Sequence, residues 1–171
     1  MDLGKRIMVL GSPGSGKSTI AAQIGEITGL PVVHLDRLTL LPGWRTAPDM
    51  DMRITMAANQ PEWVIDGNYS KTRDVRLERA DTVIYLDFNR FTCMFRIIKR
   101  RIQWHGKARP NVADGCPERL NRWFIGWVWN YPKRSHGDTA KWIGQIVPPK
   151  QVYHLRGNKA VKRFLIELRK A

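Results

Sequence analysis

Residues 11–18 read Gly-Ser-Pro-Gly-Ser-Gly-Lys-Ser (GSPGSGKS) and match the spacing G-x-x-x-x-G-K-[ST]. The spacing has a physical purpose. Glycines let the backbone curl until successive N–H groups point at one centre, where an anion is held. A helix that begins near Lys17 adds the positive end of its dipole. Lys17 then reaches terminal phosphates as a point charge. Ser18 offers a hard oxygen to Mg²⁺, and Thr19 supports the same turn. The stretch is therefore expected to bind a nucleoside triphosphate, ATP with Mg²⁺, on Gly11, Ser12, Pro13, Gly14, Ser15, Gly16, Lys17, Ser18 and Thr19. An ordinary glycine turn is the plain alternative. The flanks speak against it, because an apolar run precedes the loop and an amphipathic helix pattern follows.

That apolar run, 6–10 (RIMVL), is the first of five strand candidates. The others are 31–35 (PVVHL), 63–66 (WVID), 82–87 (TVIYLD) and 151–155 (QVYHL), rich in β-branched residues and bounded by turn residues. Helical patterns lie between them. Ile20, Ile24 and Ile27 share one face after the loop, and Thr28-Gly29 ends that helix before Pro31. Further helices are expected over 49–59, 90–104 and 118–130, the last with Pro117 at its start. A C-terminal helix is expected with Asn158 as N-cap and with Val161, Phe164, Leu165 and Leu168 on one face. Alternation of continuous apolar strands with helices predicts a parallel sheet covered on both faces, in one domain spanning 1–171. The segment 106–116 (GKARPNVADGC) is the most loop-like part of the interior and fits a mobile flap.

The net charge of +14 is uneven. Residues 1–86 hold ten basic and ten acidic side chains, whereas 87–171 hold nineteen against five. The stretch 88–113 has no acid at all, so this half attracts polyanions: nucleotides, nucleic acid or anionic membrane. A solvated basic helix face would explain the same run. The longest apolar stretch, 123–129 (WFIGWVW), is far short of the roughly 20 residues that span a bilayer. No membrane partner is expected. The N-terminus lacks the apolar core of a secretory signal, and Cys93 and Cys116 suit free thiols, so a cytoplasmic location is expected.

A phosphate loop works with a carboxylate that holds Mg²⁺ or its waters. Asp36, Asp66 and Asp87 stand at the carboxyl ends of predicted strands, where open α/β sheets bind ligands. Each would otherwise be a helix cap or turn residue. Leu120, Trp123, Phe124, Trp127 and Tyr131 recur at helical spacing, which burial of one helix face explains, although tryptophans also stack on nucleobases. Trp44 and Arg45, in the turn PGWR, are candidates for an acceptor pocket. His105 and His136 read as surface histidines.

The loop GSPGSGKST, the strand end WVIDGNY, the run DFNRFTCMFRIIKRR and the segment GCPERL together resemble bacterial DNA topology modulation proteins, FlaR-like members of the adenylate kinase-related branch of P-loop proteins. The resemblance covers nearly the whole chain. It implies a three-layer α/β/α P-loop fold, nucleoside monophosphate kinase-like, with a parallel five-stranded sheet. It implies that Asp66-Gly67 serves the Mg²⁺ site and that Arg96, Arg100 and Arg101, with Arg109 on a lid near 104–117, clamp the transferring phosphoryl group. Arg156, Gly157 and Asn158 would border the adenine, and His34 and Asp36 would face the acceptor, with Asp36 the candidate base.

The wording departs from that of adenylate kinases at one strand end: Asn68 and Tyr69 stand where Phe-Pro is expected, and the arginine moves to Arg73. AMP is therefore a doubtful acceptor. The lid region offers only His105 and Cys116 as soft ligands, too few for a zinc site. Three functions follow as expectations: an Mg-ATP-dependent kinase of unknown small-molecule or nucleotide acceptor, a nucleotide-dependent DNA- or RNA-binding protein, or an ATP-binding assembly module with little turnover.

Overall fold

A computed structural model describes residues 1–131 and 137–170. His136, read above as a surface histidine, lies outside the described residues. Five strands form one parallel sheet: β1 (Arg6–Gly11), β2 (Val32–His34), β5 (Trp63–Asp66), β6 (Thr82–Asp87) and β7 (Gln151–Arg156). Their spatial order is β2-β5-β1-β6-β7. The central strand β1 pairs β5 from Arg6↔Trp63 to Val9↔Asp66, and pairs β6 from Ile7↔Thr82 to Gly11↔Leu86. Both neighbours therefore end level with the start of the glycine loop. A short hairpin, β3 (Leu40–Leu41) with β4 (Arg45–Thr46), stands apart from the sheet.

Alternating side chains of β1 enter two different cores, as pleating requires. Ile7 and Val9 pack with Ile20, Ala21 and Ile24 of α1 (Lys17–Thr28) and with Phe164 and Leu168 of α8 (Gly157–Arg169). Met8 and Leu10 face the opposite side, against Ile54 and Ala58 of α3 (Met50–Ala58) and Ile143 of α7 (Gly137–Gly144). Two cores on two faces of one sheet make the three-layer α/β/α arrangement, as the sequence predicts. A third, smaller cluster joins Cys93 and Ile97 of α5 (Arg90–Gln103) to Val128 of α6 (Arg122–Trp129).

All five predicted strands are present. The helix expected over 118–130 starts later, because Asn121 caps α6 by accepting from the Phe124 amide at 2.7 Å. Pro117 lies outside it. The C-terminal helix is capped by Arg156 rather than Asn158, which sits in the first turn. Among the described residues, three α-helices and one 3-10 turn (Ser70–Thr72) lie outside the predicted elements: α2 (Leu35–Thr39), α4 (Arg73–Arg79) and α7. No helix of the described residues is long and apolar enough to cross a membrane.

Candidate functional site

The glycine loop runs from the end of β1 into α1 and forms one wall of a cleft of about 1430 Å³. Its curl depends on glycine geometry. Gly14 has φ 78°, and a Cβ there would lie 2.5 Å from the Cys93 carbonyl oxygen, so a larger residue is excluded on two counts. Gly16, with φ 96°, is the N-cap of α1 and gives that helix no side-chain cap. The first amides of α1 therefore face the cleft, where an anion can take them up. Ser15 Oγ is buried without a hydrogen-bond partner. Lys17 Nζ donates to the carbonyl oxygens of Gly11 and Ser12, both at 3.0 Å. Burial pushes the Lys17 pKa down, opposed by the carboxylates of Asp66 and Asp36.

Asp66 ends β5 beside this loop. Its Oδ2 accepts from Ser18 Oγ at 2.6 Å, and its Oδ1 meets His34 Nδ1 at 2.5 Å. Two hard oxygens from different elements thus stand together, a donor set that suits Mg²⁺. The buried, unpartnered hydroxyl, the uncapped helix start and the adjacent lysine suit a polyphosphate. The residues present therefore fit both groups: Ser18 and Asp66 would hold the cation and 11–19 the phosphates.

Asp36, on α2, also lines the cleft and accepts from the Tyr69 hydroxyl at 3.0 Å. Tyr69 in turn accepts from Thr39 Oγ1 at 2.7 Å. Burial raises the Tyr69 pKa, so the phenol remains a donor to Asp36. Asp87 stands elsewhere: it does not line the cleft and instead pairs with His154 at 2.8 Å and Arg156 at 3.5 Å.

The segment after β5, where the wording departs from the adenylate kinase pattern, is braced in a way the sequence does not announce. Asn68 Nδ2 donates to the Gly11 carbonyl at 2.9 Å, and Asn68 Oδ1 accepts from the Gly11 amide at 3.2 Å. Arg76 of α4 is fully buried and donates to the carbonyls of Gly67, Asn68 and Tyr69 at 2.8, 2.6 and 2.9 Å. Burial and the neighbouring Arg73 lower its pKa to about 10.

Facing the loop, α5 presents two of the anticipated arginines. Arg96 donates to the Ser15 carbonyl at 2.7 Å and to Asn158, and lies 4.3 Å over the Phe88 ring. Arg100 pairs with Glu118 at 2.9 Å, and Arg109 reaches the other oxygen of the same carboxylate at 2.6 Å. The Arg109 contact is an ion pair out of line for a hydrogen bond, which leaves Glu118 Oε2 without a hydrogen-bond partner. Burial and the proximity of Arg109 lower the Arg100 pKa, opposed by Glu118. Arg101, on the same helix, does not line the cleft, and neither does Arg156, whose side chain is mostly exposed. Helical rotation explains the first: one residue past Arg100 is turned by about 100°. Asn158 does line it.

Residues 104–121 are joined to the hairpin side of the cleft. Arg37 donates to the Pro110 carbonyl at 2.9 Å, the Gly43 amide to Gly115 at 2.8 Å, and Trp44 Nε1 to Pro117 at 2.9 Å. Trp44 holds a left-handed φ of 66°, rare for a non-glycine residue. His105 is exposed. The aromatic stripe is not simply core: Tyr131 is buried, but Trp123 is 71% exposed and lines the cleft together with Phe124 and Trp127.

A scan against protein-family models finds no match, and a search of curated proteins finds none. Solved structures do match in fold. A gluconokinase from Sinorhizobium meliloti 1021 is 16% identical, with a TM-score of 0.57, over 99% of this chain and 92% of its own. A shikimate kinase from Acinetobacter baumannii, in complex with shikimate, is 14% identical, with a TM-score of 0.58, over 96% and 90%. A shikimate kinase from Bacteroides thetaiotaomicron is 14% identical, with a TM-score of 0.55, over 97% of this chain and 96% of its own. At such identities the likeness bears on architecture alone, and the architecture is the three-layer α/β/α P-loop kinase-like fold.

Proposed function

We propose that the chain is an Mg-ATP-dependent phosphotransferase acting on a small-molecule or nucleotide acceptor. One observation carries this reading: Ser18 and Asp66, 2.6 Å apart, share a cleft with Lys17, Arg96, Arg100 and Arg109. A hard-cation site and four cations on one cavity suit the transfer of a phosphoryl group, whose transition state spreads negative charge over several oxygens. Bound Mg-ATP would supply that group together with the metal that neutralises it. The residues of the chain supply the rest. The loop amides and Lys17 orient the phosphates. His34 fixes the Asp66 carboxylate. Asp36, held by Tyr69, faces the acceptor side and takes the proton of an attacking hydroxyl. Asn158 borders the far end, on the adenine side.

Residues 104–117 form a lid in this reading, one part of a single domain over 1–171. Its closure brings Arg109 in and keeps out water that would intercept the phosphoryl group. The relationship to FlaR-like DNA topology modulation proteins, in the adenylate kinase-related branch, rests on the motifs quoted above. A cytoplasmic setting, rich in ATP and reducing toward Cys93 and Cys116, agrees with it.

The test is a screen of nucleosides, nucleotides, hydroxylated metabolites and oligonucleotides for Mg-ATP-dependent phosphorylation, with Lys17→Ala as the blank. Turnover of one acceptor class that vanishes in Lys17→Ala supports the reading. Nucleic-acid binding that persists in Lys17→Ala while no acceptor is phosphorylated overturns it.

A further inference from the structure

The outer face of α5 has no role in the site just described. Phe91, Phe95, Ile98 and Ile102 recur at i, i+4, i+7 and i+11 and so form one line along the helix. They are 69%, 67%, 45% and 74% exposed. Trp129 of α6 extends the line, its ring 5.5 Å from that of Phe91 and stacked under Arg90 at 5.2 Å. At about 100° per residue, Arg90 flanks the apolar line on one side and Lys99, which also borders the cleft, on the other, while Arg101 has a buried guanidinium nitrogen. The opposite face of the helix buries Cys93 and Ile97 against α6. Helix α5 is thus apolar on two sides, and only one has a protein partner among the described residues.

Single exposed hydrophobic residues are ordinary, but a contiguous apolar line edged with cations marks a contact surface. We infer that this face docks on an anionic lipid surface, with the line of Phe and Ile side chains entering the headgroup region and Arg90 and Lys99 meeting lipid phosphates. Charge selects this occupant. Residues 88–113 contain no acid, so a second copy would bring the same cations against each other with no carboxylate between them. Shape selects it as well. Side chains exposed by two thirds or more protrude as a ridge, which a layer of headgroups accepts without a matching groove. Chemistry separates it from nucleic acid, because the two isoleucines offer no π-face for stacking on bases. Amphipathic helices with basic edges bind anionic membrane interfaces by this combination. The contact is peripheral. It departs from the expectation of no membrane partner, which rested on spanning length alone.

The test is co-sedimentation of the full chain with vesicles of two parts phosphatidylcholine to one part phosphatidylglycerol, beside vesicles of phosphatidylcholine alone. The wild-type chain is expected to pellet with the anionic vesicles and to remain in solution with the neutral ones. A Phe95→Ser, Ile102→Ser variant should partition about tenfold less or weaker still, since both apolar contributions are lost. Arg90→Glu should weaken binding severalfold, and should do so more at low than at high salt. Equal partitioning of the double variant, or failure of the wild type to bind anionic vesicles, overturns the inference. So does a wild-type dimer, seen by light scattering, that the double variant dissociates, since the face would then be closed by self-contact. Single-stranded oligonucleotide binding lost in the double variant, with vesicle binding unchanged, overturns it too.

Discussion

The two walls of the cleft are built on different principles. The loop wall is made of main chain: amides curled by glycine, one lysine, and a helix start with no side-chain cap. Its geometry is set before any ligand arrives. The arginine wall is made of long side chains, and Arg100 and Arg109 are both held by the buried carboxylate of Glu118. The contrast teaches a division of labour. In the proposed reaction a preset backbone cradle would serve binding, because nothing must be reorganised, whereas paired arginines would have to exchange a carboxylate for a phosphate and so would serve the step that follows binding.

Substitutions on each wall break or sharpen this comparison. The largest effect is expected at the carboxylate that joins the loop to the sheet. Asp66→Asn should reduce turnover by about 10³-fold while circular dichroism and melting stay near wild type. A variant that retains activity would move the metal site elsewhere. Next, Gly14→Ala should lower nucleotide affinity by about 100-fold in calorimetry and destabilise the fold by roughly 2–4 kcal/mol, since its Cβ meets the Cys93 carbonyl at a left-handed φ.

On the other wall, Glu118→Gln should lower kcat by about 10–50-fold yet alter nucleotide affinity by less than about threefold, because only the arginines lose their anchor. An equal loss of affinity and kcat would erase the proposed division between the walls. The smallest effect is expected from Trp44→Ala, which removes one bond between the hairpin and residue 117. The acceptor KM should rise about threefold with nucleotide binding unchanged, and the left-handed φ stays as costly as before, since alanine also carries a Cβ.

The loop wall was legible in the sequence and the arginine wall only in part, for physical reasons. Glycine spacing reports backbone geometry directly, so residues 11–19 and the five strands can be read from residue type alone. Asp66 and Asp36 follow from strand ends. The Asp87 candidate stood in an equivalent position, but a histidine and an arginine of β7 and its end pair with it, and pairing across strands is invisible to periodicity. Helix α4 escaped notice because its one buried residue is Arg76, so the apolar pattern that announces a helix is missing. Glu118 was read as part of a helix start, since acids are ordinarily exposed. Only the convergence of Arg100 and Arg109 reveals why this one is buried. Trp123 was read with a buried stripe, but its helix packs through Val128, which turns Trp123 toward the cleft.

The amide of Asn68 grips both main-chain groups of Gly11, and Arg76 grips the carbonyls on either side of that asparagine. The jaw that carries the glycine loop is thereby tied to the central sheet. A gape that admits or frees a ligand would come from the opposite jaw, through the parting of Arg37, Leu41, Gly43 and Trp44 from residues 110–117.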